Sequence, residues 1–283
     1  MVTKTIGVFD SGVGGLSVLR EIHKLLPAQP VIYFADQGHV PYGSRQIEEV
    51  QGFAHKITQF LLDRAAGLIV VACNTASVAA LQSLRQAYPH VPFVGMEPAV
   101  KPAAETSHSR RVGILATAAT FQTAMYASVV ERFAQGVTLL EDPCYGLVDQ
   151  IENGNLNGPQ TRAILENALK PMVAAGIDTI VMGCTHYPFV IPLIQQIVGP
   201  GVQVIDPAPA IARQTLRMLE AHDLLATGKR RAATHYFTSG DRLAFKRSLR
   251  QLLNQNRPVE QVSWLDGRII PITPEKNYLR STR

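Results

Sequence analysis

Two stretches of the sequence place a cysteine where it could do chemistry. Val70–Ser77 reads VVACNTAS, and Val181–Pro188 reads VMGCTHYP. In each stretch an apolar run typical of a β-strand ends at a small residue, the cysteine follows, and polar residues then open a helix. Ligands of open α/β sheets bind just outside the carboxyl ends of the strands. We therefore interpret Cys73 and Cys184 as functional residues of one site.

A thiol at the start of a helix suits proton transfer. A free cysteine has a pKa of about 8.5, and the positive end of a helix lowers it toward neutrality. We therefore expect Cys73 and Cys184 to be poised between thiol and thiolate, as an acid or a base at neutral pH must be. A buried structural cysteine is the alternative for Cys73 taken alone, and the matching position of Cys184 weighs against it. Cys144 lacks this setting and is interpreted as structural.

A polar turn, Asp10–Gly15, also follows a predicted strand and precedes a predicted helix. It resembles a phosphate loop only superficially, because its glycines do not match GxGxxG and no GKS or GKT follows. An aspartate at its mouth would also repel phosphate. Asp10 suits instead an amino group or the support of a thiol, with a helix-capping role as the alternative.

The residues that follow the two cysteines offer sites for an anion. Asn74 and Thr75 follow the first cysteine, and Thr185 and His186 follow the second. Together with the backbone N–H groups of a helix start, these side chains fit a carboxylate. His186 can also share a proton with Cys184, two residues before it.

Three further positions are less specific. Tyr42 and Gly43 offer a hydroxyl and a closely approaching backbone N–H, although a simple Pro-Tyr-Gly turn explains the same residues. Asp36 and Glu152 are single carboxylates in a loop and at a helix end, and the sequence does not set either apart.

The groups assembled so far define a reaction type. They comprise two thiols, carboxylate-sized anion sites and an acid for an ammonium group, with no nucleotide loop, metal-spaced Cys/His cluster or lysine in these motifs. This set weighs against nicotinamide, metal and pyridoxal chemistry, so we expect no cofactor and no metal. Two bases on opposite faces of a carbon acid are the design of a racemase or epimerase. One thiolate removes the α-proton while the other thiol delivers a proton from the far side.

Composition narrows the class of protein. The 283 residues are 46% hydrophobic and 17% charged, which is ordinary for one or two globular domains. Three cysteines are too few for a disulfide framework, and Asp10 interrupts the apolar run that a signal peptide would need. The charge-free stretch between Arg64 and Arg85 contains polar residues that disfavour a membrane span. We expect a soluble, cytoplasmic protein without membrane contact.

Basic residues are concentrated near the C-terminal end. Residues 1–207 carry 13 Lys and Arg against 16 Asp and Glu, a net charge of −3, and residues 208–283 carry 14 against 6, a net charge of +8. A solvated helix face is the plain interpretation, and a contact with nucleic acid or an acidic partner is the alternative. The alternative predicts salt-dependent retention on DNA that is lost when residues 229–283 are removed.

The order of predicted elements indicates an internal duplication. Gly113 stands 106 positions after Gly7, and Cys184 stands 111 positions after Cys73. A period near 108 is too long for a solenoid and suits two related domains. We therefore predict an α/β fold of two pseudo-symmetric, doubly wound domains with the active site in the cleft between them.

The predicted domain boundaries follow from the same series of elements. Residues 1–98 and 99–207 form the first and second domains, and residues 208–283 return to the first. The return includes a helix near 210–225 and a strand at 235–238. An earlier helix is predicted over 44–65, and no prediction is made for the residues after Trp264.

At these residues the sequence resembles the glutamate racemases of the aspartate/glutamate racemase superfamily. The resemblance extends over residues 6–188 in family order, and residues 236–252 are similar to the family's C-terminal strand and helix. The matching stretches are Ile6–Leu16, Phe34–Asp36, Pro41–Gly43, Ala72–Ala76 and Gly183–Pro188. Two places depart from the commoner pattern, namely His39 after Gly38 and Cys144–Gly146, which bears on local loop shape.

The resemblance implies an activity and a set of residues. It implies cofactor-independent interconversion of L- and D-glutamate, which supplies D-glutamate for peptidoglycan in the cell wall, and it implies a homodimer of unspecified geometry. Acid/base roles fall to Cys73 and Cys184, with Asp10 supporting the first and His186 and Glu152 the second. The implied substrate-binding residues are Asp10, Ser11, Tyr42, Gly43, Asn74, Thr75, Thr185 and His186.

The substrate has a close competitor in this interpretation. An aspartate or other amino-acid racemase of the same superfamily differs by one methylene of substrate length, which a pocket discriminates by only about 1–3 kcal/mol. The Thr-His pair after Cys184 favours glutamate.

Overall fold

The computed structural model describes residues 5–97, 99–228 and 230–272. Strands and helices alternate along most of the chain. The strands are β1 Thr5–Asp10, β2 Val31–Ala35, β3 Ala66–Val71, β4 Phe93–Gly95, β5 Arg111–Ala116, β6 Thr138–Asp142, β7 Thr179–Gly183, β8 Gln203–Ile205, β9 Thr234–Thr238, β10 Val259–Leu265 and β11 Arg268–Pro271.

The helices connect these strands. The α-helices are α1 Leu16–Leu25, α2 Ile47–Leu62, α3 Asn74–Ala87, α4 Val100–Thr106, α5 Ala118–Phe121, α6 Ala124–Phe133, α7 Leu147–Glu152, α8 Pro159–Ala174, α9 Ile191–Val198, α10 Ala208–Ala221 and α11 Arg242–Leu253. Two short 3-10 helices span Tyr42–Ser44 and Tyr187–Val190. Among the described residues, no helix is both long and apolar enough to cross a membrane.

Two mainly parallel sheets repeat the same strand order. The first sheet runs β11-β10-β9-β2-β1-β3-β4 and the second runs β6-β5-β7-β8. The core of the first, β2-β1-β3-β4, therefore corresponds strand for strand to the whole of the second. This correspondence confirms the predicted two-part α/β fold and its internal duplication.

The central strands are buried on both faces, which explains their continuous apolar runs. Side chains alternate between faces along a strand, so Leu68 and Val70 pack in one core cluster while Ile69 and Val71 pack in another. Helices α1 and α10 cover the first face, and α2 and α3 cover the second. Helices on both faces make the first sheet doubly wound, as predicted.

The chain after residue 207 packs on the first sheet. Helix α10 packs on α1, and β9 pairs in parallel with β2. Strand β10 adds beside β9, and β11 pairs antiparallel with β10, with Trp264 opposite Ile269. Strands therefore continue after Trp264, where the sequence led to no prediction, and β11 ends at Pro271. The domain boundaries themselves stay a prediction.

Helix α2 is shorter than the predicted helix over 44–65, which was wrong at both ends. Residues Tyr42–Ser44 form a separate 3-10 turn, and α2 begins after a capping box in which Gln46 and Glu49 satisfy each other's backbone N–H groups. The helix ends before Ala65, whose positive φ of 64° is a left-handed conformation. Capping chemistry, which apolar periodicity does not reveal, sets both ends.

The C-terminal helix contributes to the core of the first sheet, and a substitution tests this. Phe245 is fully buried and stacks on Tyr33 with ring centroids 6.0 Å apart. We expect Phe245→Ala to lower the free energy of unfolding by about 3–5 kcal/mol, as removal of a buried phenyl ring does. Denaturant unfolding measures the change.

The matched control lies on the same helix. Leu243 is 56% exposed, so Leu243→Ala should change the free energy of unfolding by about 0.5 kcal/mol or less. Equal losses for the two variants would contradict the placement of α11 on the sheet.

Candidate active site

The predicted site residues gather at the carboxyl ends of corresponding strands. Asp10 ends β1, Cys73 follows β3, and Cys184 follows β7, the counterpart of β3 in the second sheet. Both cysteines are buried, and both line one cavity between the two halves. The tertiary structure thus brings together two thiols that are 111 residues apart in the sequence.

Cys73 is the N-cap of α3. Its Sγ accepts the N–H of Ala76 at 3.4 Å and lies 3.8 Å from the hydroxyl oxygen of Ser11. Burial raises the pKa of the Cys73 thiol to about 12, and the nearby Asp10 carboxylate adds to the rise. The expectation that the helix start lowers this pKa is therefore wrong, because the loss of solvent outweighs the hydrogen bonds with the N–H of Ala76 and with Ser11.

Cys184 stands in a different setting from Cys73. It is followed by a turn and the 3-10 helix Tyr187–Val190, so the predicted helix start is a 3-10 turn at this position. The Sγ of Cys184 lies 3.7 Å from Nδ1 of His186, and Nε2 of His186 lies 2.6 Å from Oε1 of Glu152. The structure therefore brings together the three residues that the resemblance grouped.

The carboxylate of Glu152 also binds the first half of the molecule. Its Oε1 accepts the backbone N–H of Val13 at 2.7 Å, and its Oε2 accepts the side-chain amide of Gln37 at 2.8 Å. Burial on its own would lower the pKa of His186, but the hydrogen bonds with Cys184 and Glu152 outweigh it and hold the pKa well above 6.5. These two partners therefore favour the protonated form of His186.

Asp10 lies behind the cavity rather than on it. Its carboxylate is fully buried and accepts the N–H of Gly12 at 2.9 Å and the hydroxyl of Thr185 at 3.0 Å. Burial raises the pKa of Asp10, and the positive charge of His186 opposes the rise. Asp10 thus positions Thr185 of the second half from β1 of the first.

The cavity is small, and most of the residues that line it are polar. Its free volume is about 10 Å³, space for about one water molecule, so the lining must shift to admit an amino acid. The two cysteines and every predicted substrate-binding residue except Asp10 line it, and Pro41, Thr117 and Val148 complete the lining.

One buried donor in this cavity lacks a protein partner. The side-chain nitrogen of Asn74 is buried and makes no hydrogen bond to any described residue. Unpaired buried donors are rare in folded proteins because each costs free energy. Asn74 is therefore placed to donate to an oxygen of a bound ligand.

The loop at Tyr42 and Gly43 lines the cavity. The hydroxyl of Tyr42 donates to the buried carboxylate of Asp36 at 2.6 Å. Burial, followed by the proximity of Asp36, raises the pKa of Tyr42 well above 10, so the phenol stays protonated and serves as a donor to Asp36. The hydroxyl that the sequence offered to a ligand is thus used within the protein.

Thr117 is a lining residue that the sequence analysis missed. The hydroxyl of Thr117 lies 3.1 Å from that of Thr75. A Cβ added to Gly43 would come within 2.8 Å of the Cβ of Thr117. Thr117 follows β5 as Ser11 follows β1, and the offset of 106 residues from Gly7 to Gly113 also relates Ser11 to Thr117. Extending the duplication residue by residue would have found it.

Two glycines of the first turn are required by close approach of the second half. A Cβ at Gly12 would collide with the carboxylate of Glu152, and one at Gly14 would collide with the ring of His186. Glycine at these positions therefore serves contact with Glu152 and His186 rather than a phosphate.

Cys144 and the basic residues lie outside this constellation. Cys144 is buried with a positive φ of 46°, does not line the cavity, and has its pKa raised by burial. Arg242 and Arg250 are exposed on α11, whereas Lys229 lies outside the described residues. The alternative of a contact with nucleic acid or an acidic partner stays a prediction.

Comparison with known proteins defines the class. The model of the Asp/Glu/Hydantoin racemase family matches residues 6–215, which contain both cysteine elements and the cavity. The chain belongs to this family.

The relatives narrow the comparison further. The chain is 48% identical over 254 residues to the glutamate racemase of Ectopseudomonas mendocina, covering 90% of this chain and 96% of that protein. It is 51% identical over 232 residues to that of Pseudomonas aeruginosa PAO1, covering 82% and 87%.

Solved structures agree with these relatives. Glutamate racemase RacE1 of Bacillus anthracis has a TM-score of 0.84 at 31% identity, covering 93% of this chain and 98% of that chain. The Escherichia coli glutamate racemase, solved with L-glutamate and the activator UDP-MurNAc-ala, has a TM-score of 0.81 at 30% identity, covering 96% and 100%.

The close approach at Gly12 leads to a stability prediction. We expect Gly12→Ala to destabilise the protein by about 1–3 kcal/mol, the cost of overpacking a filled site. Gly52 provides the control, because it lies inside α2 with nothing within 4 Å of an added Cβ. Gly52→Ala should stabilise the protein by up to about 1 kcal/mol through helix propensity. Thermal and denaturant unfolding compare the two, and a stabilised Gly12→Ala would contradict the packing.

The Glu152–His186 pair leads to a prediction about pH. In Glu152→Gln the imidazolium loses its anionic partner, so we expect the pKa of His186 to fall toward its ordinary value of about 6.5. The ring would then lose its proton at a lower pH than in the unaltered protein. Titration of the histidine ring signals by NMR measures this. Glu21 pairs with Arg20 and Lys24 elsewhere, so Glu21→Gln should leave His186 unchanged, and equal titration in all three proteins would refute the pairing.

Proposed function

We propose that the protein interconverts L- and D-glutamate without a cofactor, by two-base proton transfer at Cα. The observation that carries the proposal is a single cavity with one buried thiol from each of two duplicated halves. Racemisation needs a base on one face of Cα and an acid on the other. The two thiols, one from each side of the cleft, meet that requirement.

The two thiols exchange roles with the direction of reaction. The thiolate on one side takes the α-proton, and the thiol on the other side donates its proton to the opposite face. The imidazolium of His186, held by Glu152, stabilises a thiolate at Cys184. Cys73 has a hydroxyl and an N–H as partners, and the ammonium group of the bound amino acid supplies the positive charge that its thiolate needs.

The substrate carboxylate groups have suitable donors in this cavity. Asn74 has an unpaired amide nitrogen there, and Thr75 adds a hydroxyl. Thr185 lines the same space, and its hydroxyl donates to Asp10. Ser11 and the main chain at Gly43 complete the binding set from the first half. In this proposal Asp10 acts through Thr185, which it holds by a hydrogen bond of 3.0 Å.

We propose glutamate rather than aspartate as the substrate because of the relatives of this chain. Proteins that match about nine tenths of this chain at close to half identity are glutamate racemases. Proposed with this activity is the supply of D-glutamate for peptidoglycan. The homodimer and the cytoplasmic location stay predictions.

Circular dichroism of L- and D-glutamate incubated with the protein tests the activity. We expect either enantiomer to lose its optical activity without added pyridoxal phosphate, and solvent deuterium to enter Cα in deuterium oxide. Cys73→Ser and Cys184→Ser should each lower the rate at least about 100-fold, because a serine hydroxyl is a far weaker acid than a thiol.

A third cysteine provides the control for this test. Cys144 is equally buried and lies off the cavity, so Cys144→Ala should retain racemisation in the folded protein. Persistent optical activity of both enantiomers would exclude racemisation of glutamate. Full activity of either serine variant would exclude the two-thiol mechanism but not the racemase activity itself.

A further inference from the structure

The buried carboxylate of Asp36 joins three distant parts of the chain. Its Oδ2 accepts the hydroxyl of Tyr42 at 2.6 Å and lies 2.9 Å from Nδ1 of His39. Its Oδ1 accepts the hydroxyl of Ser239 at 2.6 Å and the indole N–H of Trp264 at 2.8 Å. Asp36 is therefore fully paired, and two of its four partners come from the C-terminal return.

Trp264 lies against the same loop through its ring. It stands edge-on to His39 at 5.1 Å and to Phe53 at 5.5 Å, and His39 stacks on Phe53 at 4.1 Å. The ring of Phe53 also lies 5.7 Å from that of Tyr42. One aromatic cluster therefore packs Trp264, near the end of β10, against the loop whose residues Tyr42 and Gly43 line the cavity.

These contacts fix the orientation of the Tyr42–Gly43 loop relative to the cavity. The phenol of Tyr42 is tied to Asp36, and both Tyr42 and Gly43 line the cavity, where Gly43 packs against Thr117 of the second half. A buried carboxylate that loses a donor is costly, so it shifts or admits water. Any such shift is transmitted to Tyr42, because Trp264 binds Oδ1 and Tyr42 binds Oδ2 of the same carboxylate.

We propose that Trp264 is a positioning residue of the active site, which acts through Asp36 to hold the Tyr42–Gly43 loop in its substrate-binding orientation. The strands β10 and β11 thus extend the sheet and also support the loop that lines the cavity. The kinetic part of this inference rests on the proposed racemase function.

The kinetic test is a double-mutant cycle in the full chain. Trp264→Phe keeps an aromatic ring and removes the N–H donor, and we expect it to raise the KM for glutamate about tenfold with kcat changed by a smaller factor, in line with loss of a hydrogen bond to a charged group. In the Tyr42→Phe background the same substitution should have little additional effect on KM, because the path to the loop is already cut.

The cycle separates positioning from general stability. A merely structural role of Trp264 would lower the melting temperature and the folded fraction but leave the KM of the folded enzyme unchanged. An unchanged KM in Trp264→Phe, or KM effects of the two substitutions that simply multiply, would overturn the proposal. Leu265 is the matched control, since it is the next residue and 57% exposed; Leu265→Ala should leave KM unaltered.

A second measurement does not depend on catalysis. Trp264 is the one tryptophan in the sequence. Intrinsic tryptophan emission therefore reports on the surroundings of Trp264, including its contact with Asp36. We expect Tyr42→Phe to change the emission maximum and to make quenching by acrylamide steeper, because Asp36 loses a partner next to the indole. Tyr88→Phe also removes a phenolic hydroxyl, one bonded to Gln59, and should leave the emission as it is.

The two measurements keep the two ideas apart. An unaltered protein that fails to racemise glutamate refutes the proposed function, and the emission of Tyr42→Phe still decides the coupling. Emission and quenching identical in Tyr42→Phe and the unaltered protein would refute the coupling even if racemisation is observed.

Discussion

The structure depends on one contact between its two halves, where the turn after β1 meets Glu152 and His186. The carboxylate of Glu152 accepts the N–H of Val13 and holds the imidazole that faces Cys184. No side chain fits at Gly12 or Gly14, because the second half already occupies that space. The group that orients the second thiol is therefore held by the first half, and the site is complete only when the halves are together.

The same contact makes a duplicated fold asymmetric in its chemistry. Corresponding strands deliver the two thiols, yet Cys184 faces an imidazolium and Cys73 faces a hydroxyl. Burial makes a thiolate at Cys73 costly, whereas Cys184 has a positively charged partner within reach when His186 is protonated.

The small volume of the cavity follows from these packing relations. Side chains of both halves fill the cleft until about 10 Å³ of free space remains. Exclusion of water from so small a space strengthens the interaction of each thiol with nearby charges. The first-half loop at Tyr42 is held by the hydrogen bond of its phenol to the buried carboxylate of Asp36.

The fold class, the duplication and the two thiols follow from the sequence alone, because strand periodicity, turn chemistry and the spacing of the cysteine motifs are visible along the chain. Which polar groups share a hydrogen bond depends on how the chain packs in three dimensions. That packing drew Glu152 to His186 across 34 residues and Trp264 to Asp36 across 228. It also reversed the expected pKa shift of Cys73, since the degree of burial is a property of the packed molecule and not of the helix that the cysteine begins.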